Sequence, residues 1–126
     1  MNQPIVLVAV LIPRGDELLL LARRDGSGGY TTQPMEDRLG FGERSEEAAR
    51  RIVRHAIAAE LTNLRRIDVR EIIVDRPTDP KHRITILYQA DLSNPALYDL
   101  DYLEGQTPEG EPADAVWVEA GEPDDL

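Results

Sequence analysis

Between Asp37 and Ala59 the chain sets out ionisable residues at helical steps, with Glu43, Glu46 and Glu47 followed by Arg50, Arg51, Arg54 and His55. Carboxylates one turn apart on a helix share a face, because positions i, i+3 and i+4 are neighbours. Such a face can hold magnesium, which takes oxygen ligands in octahedral geometry and can activate water. Glu43 and Glu47, one turn further on, are the carboxylates placed for this, and Glu111 or Asp114 from late in the chain could join them. His55, whose ordinary pKa lies near neutrality, and Glu43 are the candidates for general acid–base work. One imidazole is a poor magnesium ligand, since nitrogen suits zinc, copper or iron better.

The same residues carry a plainer reading. Glu47 with Arg51, and Glu46 with Arg50, are four apart in the favourable order for surface ion pairs. Glu43 then caps a turn, and His55 is a partly exposed structural side chain.

These side chains need a helix to position them, and the sequence predicts one. Ser45 reads as its N-cap, with Glu46 and Glu47 in a first turn that favours negative charge. Val53, Ile57 and Leu61 recur every four residues, beside a stripe of Ala48, Ile52, Ala56 and Ala59. Asn63 is the expected stop. Ahead of the helix, Ile5–Ile12 reads as a strand, Arg14-Gly15-Asp16-Glu17 as a hairpin turn, and Leu18–Ala22 as the returning strand ending at Arg23-Arg24. Residues 25–38 read as a pliable loop. Further strands are expected at Val69–Val74, Ile84–Leu92 and Ala115–Val118, with turn-rich residues 75–83, containing His82, between the first two.

This layout resembles the Nudix hydrolases, the MutT-like proteins. Their signature is a glycine, five residues, a glutamate, seven residues, then Arg-Glu-hydrophobic-x-Glu-Glu-x-Gly-hydrophobic. Glu43 and Arg51 stand at the right spacing, and Val53 fills the hydrophobic slot. Asp37 stands in place of the first glycine; Ile52, His55 and Ala56 replace the three helix glutamates; Ala58 replaces the closing glycine. The opening hairpin with its Arg-Arg ending, Tyr30 near the usual tryptophan and Pro34 near the usual proline extend the likeness over nearly the whole chain. The resemblance implies an α+β Nudix fold, a mixed β-sheet packed between helices as an α/β/α sandwich, over residues 1–126 as one domain. It also implies a second helix at Glu119–Leu126, and magnesium-dependent cleavage of a diphosphate linkage. The replaced glutamates argue against that cleavage. The pocket beside Ile52 is expected to suit a less charged ligand.

Composition narrows the partners. With 126 residues and 41% apolar content the chain can bury its own core. No apolar run approaches the roughly 18–20 residues of a membrane span, and no signal-peptide pattern opens it, so the cytoplasm is the expected compartment. Cysteine is absent, which excludes disulfides and thiolate chemistry. The net charge of −10 is uneven: residues 91–126 hold 11 acidic residues and no Lys or Arg. That disfavours long nucleic acid. A small, phosphorylated molecule held by Arg23, Arg51 or Arg54, with Tyr30 and Ile52 lining its site, is compatible. The long acidic stretch 94–112 is expected to contribute few core residues, and a short terminal helix would leave apolar surface for a second copy of the chain to cover.

Three functions follow. The first is a Nudix-fold protein that binds a small ligand or carries reassigned chemistry, with no cofactor. The second is a hydrolase whose magnesium site is rebuilt from Glu43, Glu47 and Glu111. The third is an interaction domain that docks through its acidic C-terminal region.

Overall fold

The computed structural model describes residues 3–24, 26–74 and 81–120. Two sheets face each other. One is mixed and four-stranded, in the order β5 (Met35–Arg38), β1 (Ile5–Leu11), β7 (Lys81–Leu92), β6 (Leu61–Val74), with β1 and β7 parallel. The other is antiparallel, in the order β2 (Pro13–Arg14), β3 (Glu17–Arg24), β9 (Pro112–Glu119), β8 (Tyr102–Gln106), with β4 (Tyr30–Gln33) also on β3. The hairpin of Pro13 to Glu17 turns at Gly15, whose φ of +59° is costless only for glycine.

Helix α1 (Ser45–Ile57) packs its apolar stripe on β1, β5 and β8. Val53, Ala48 and Ala49 are fully enclosed, and meet Val8, Val10, Ile12, Leu19, Leu21 and Met35 from the strands. Each large apolar side chain so enclosed contributes about 1.5–3 kcal/mol against exposure. The α+β expectation holds, with two sheets rather than one. Among the described residues there is one α-helix, plus a 3-10 turn at Pro95–Asp99. Of the expected second helix, Glu119 ends β9, Ala120 is not helical, and residues 121–126 lie outside the described residues. No described helix is long and apolar enough to cross a membrane.

Several boundaries differ from expectation. Arg44, not Ser45, is the N-cap; the Ser45 hydroxyl instead bonds the Tyr88 hydroxyl at 2.6 Å. The helix stops at Ile57 rather than near Asn63. Ala58 takes the left-handed conformation (φ +53°) and its N–H bonds the Arg54 carbonyl, a C-terminal cap that needs no glycine signal. Leu61, expected on the helix, begins β6. The 25–38 loop contains β4 and β5. The 94–112 stretch contains β8, with Leu103 and Thr107 in the interior. His82 sits in β7 and pairs with Glu71 at 2.8 Å.

Candidate functional site

Glu43 lies on the turn entering α1, where its carboxylate is fully engaged. Arg51, two turns along the helix, donates from Nε to Oε2 at 2.8 Å and from Nη2 to Oε1 at 3.1 Å. The Gly40 N–H donates to Oε1 at 3.0 Å. The guanidinium first, and that N–H second, hold the Glu43 carboxyl below the usual carboxylate range. Arg51 also reaches Asp37 Oδ2 at 3.2 Å and the Arg38 carbonyl at 2.9 Å. One arginine therefore ties β5, the 39–43 turn and α1 together. The pairs expected within the helix are not made: Arg51 turns back to Glu43, and Arg50 donates to the Leu61 carbonyl at 3.0 Å.

The remaining expected metal ligands are dispersed. Glu47 accepts the Arg44 N–H at 3.4 Å, completing the start of the helix. Glu111 pairs with Arg23 across the ends of β3 and β9. Glu43, Glu47 and Glu111 thus have three separate partners, and among the described residues no three His, Cys, Asp or Glu side chains converge. The helix face that would carry ligands presents Ile52 and Ala56, both buried, and His55. His55 Nε2 lies 3.0 Å from the Thr107 carbonyl oxygen, so that nitrogen carries the proton. These groups do not fit a magnesium ion.

No family model matches the chain and no curated protein does. Solved structures do. A Nudix hydrolase from Nitrosomonas europaea superposes at a TM-score of 0.61 with 14% identity, over 93% of this chain and 73% of that one. A MutT Nudix hydrolase from Burkholderia pseudomallei gives 0.66 and 19%, over 97% and 90%. A protein from Jonesia denitrificans, described as a possible asymmetric diadenosine tetraphosphate hydrolase, gives 0.67 and 18%, over 98% and 84%. The chain has the Nudix fold.

Within that Nudix fold the ligand-binding residues expected from sequence separate into three places. Arg51 and Ile52 line a small hollow beside α1, with His55 at its edge. Arg54 points away from it, pairing with Glu60 through two contacts of 2.8 and 3.0 Å. Arg23 and Tyr30 line an open groove where β3 and β9 part, together with Glu111. Arg24 lies over the Tyr30 ring there. Glu104, Glu111 and Asp114 outnumber Arg23 and Arg24 in that groove, which opposes an anionic ligand.

Sequence reasoning missed a fourth place. Between the two sheets, on the side away from α1, lies a groove of about 500 Å³. Its walls are Leu11, Leu18, Leu20, Leu87 and Val118, and its polar groups include Gln33, Glu36 and Arg70. Burial pushes the Glu36 carboxyl up, and Arg83 opposes this. The signal was in the strands: Leu18 and Leu20 alternate with the buried Leu19 and Leu21, so β3 has apolar residues on both faces.

Proposed function

We propose that this chain is a Nudix-fold protein that binds a small organic molecule and lacks the magnesium-dependent diphosphate hydrolysis of the family it resembles. The observation that carries the reading is the helix face itself. Ile52, His55 and Ala56 stand where three carboxylates would be needed, and the one glutamate at the right spacing, Glu43, is held by Arg51 and the Gly40 N–H. A cation entering here would have to displace a bidentate guanidinium that also holds Asp37, and would meet Ile52, His55 and Ala56 in place of further carboxylates along the helix. The groove between the sheets supports the binding half. Its size and its mostly apolar walls with a few polar groups suit a small ligand.

The test is hydrolysis of ADP-ribose and nucleoside triphosphates with and without magnesium. No magnesium-dependent product is expected. Turnover that needs magnesium and disappears in Glu43→Ala would favour the rebuilt site instead. A thermal-shift screen addresses binding: ligands of the groove raise the melting temperature of the wild type and not of Val118→Phe.

A further inference from the structure

We propose that β8 and the turn after it form a fixed plug over the ligand face of α1, so that this face is closed as well as stripped of carboxylates. The inference rests on the reading above and deepens it: the site lacks room as well as donors.

The contact begins at Gly105. A Cβ there would come within 2.4 Å of the Ala56 carbonyl oxygen and 3.2 Å of Ile57 Cγ2. The strand backbone therefore lies directly on the helix backbone, an approach open only to glycine. Two reciprocal hydrogen bonds continue the seam. Gln106 Nε2 donates to the His55 carbonyl at 2.9 Å, and His55 Nε2 donates to the Thr107 carbonyl at 3.0 Å.

The turn is braced from within. The Thr107 N–H bonds the Glu111 carbonyl at 2.8 Å, the Gly110 N–H bonds the Thr107 carbonyl at 2.9 Å, and the Glu111 N–H bonds Thr107 Oγ1 at 3.1 Å. Thr107 has no exposed surface. On its far side the turn is tied to β3 through the Glu111–Arg23 pair. Pro108 walls one side of the hollow beside Ile52, His55 and Ala56, which holds about 10 Å³. That is room for roughly one water, and none for a hydrated cation with a diphosphate. His55 is on this account a positioning residue, the latch that fixes the plug to the helix.

The absence of native cysteine makes a direct test clean. Ala56→Cys adds one small buried thiol; Glu46→Cys, in the exposed first turn, is the control. The thiol at position 56 is expected to react with a soluble disulfide reagent about a hundredfold more slowly than the control, because it must wait for local opening. Adding His55→Ala should raise that rate about tenfold. His55→Gln, which keeps a donor, should restore most of the protection. A rate at position 56 equal to the control, or one indifferent to His55→Ala, would overturn the plug. If Ala56→Cys does not fold, amide exchange decides. The Thr107, Gly110 and Glu111 amides should be protected in the native chain and exchange about tenfold faster in His55→Ala; exchange at the free-peptide rate in the native chain sinks the proposal. Neither readout uses metal or turnover. Hydrolysis with a closed face would refute the functional reading alone, and an open face without hydrolysis would refute the plug alone.

Discussion

The two sides of the sheets differ in what they have done with their space. On the α1 side, Gly105, His55 and the 107–111 turn hold β8 against the helix, and the hollow beside Ile52 has about 10 Å³. On the other side, between β1, β3, β7 and β9, the leucines stand back from each other around about 500 Å³. The side that carries Glu43 and Arg51 is thus packed and internally paired. The side with no motif at all is open, and carries a half-buried carboxyl among apolar walls. A pair of residues at motif spacing can serve structure alone: Arg51 joins three segments whether or not a metal is ever bound.

The sharpest way to break this contrast is Gly105→Ala. The added methyl would meet backbone, which cannot rotate aside, so a loss of about 3 kcal/mol in urea unfolding is expected. A loss below about 0.5 kcal/mol would mean that β8 is not pressed on the helix. Next in size is Arg51→Ala, expected to cost about 2 kcal/mol because charge-assisted bonds to Glu43 and Asp37 and one to the Arg38 carbonyl are lost, discounted for partial exposure.

Glu43 adds a pH signature. Its folded-state pKa is depressed, so it contributes stability that is complete well above its unfolded value of 4.5 and is lost as pH falls through the folded value. The urea midpoint of the wild type should therefore drop more steeply below pH 4.5 than that of Glu43→Gln. Parallel acid limbs would show that the clamp is not formed in solution. The smallest effect belongs to the open side. Val118→Phe, on the groove wall, should change stability by less than about 0.5 kcal/mol while removing any ligand-induced rise in melting temperature.

Much of this architecture was readable. Ile5–Leu11 and Leu18–Ala22 are short continuous apolar runs bounded by turn residues, as in strands covered on both faces, and Pro112–Glu119 alternates between buried and exposed residues on the pleat. The helix was readable from its four-residue apolar stripe. Its end was not, because Ala58 adopts a conformation that its residue type disfavours and only the tertiary packing enforces. β4 and β5 were hidden in a polar stretch whose pairing with β3 and β1 supplies what its own propensity lacks.

The site was legible as spacing and illegible as geometry. Counting from Glu43 to Arg51 identifies the pair, but nothing local says that Arg51 would choose Glu43 and Asp37 over Glu47. The separation of Arg54 from Arg23 and Tyr30 likewise follows from the elements they occupy, the helix for the first and the paired strands β3 and β4 for the other two. The role of Gly105 depends on contact with a helix about fifty residues earlier in the chain.

The Glu43 face of the helix is expected to hold no divalent ion. Isothermal titration of the purified chain with magnesium and manganese, alone and with ADP-ribose or a nucleoside triphosphate present, addresses it most directly. No metal binding is expected under any of these conditions. Micromolar binding that Glu43→Ala abolishes would contradict it.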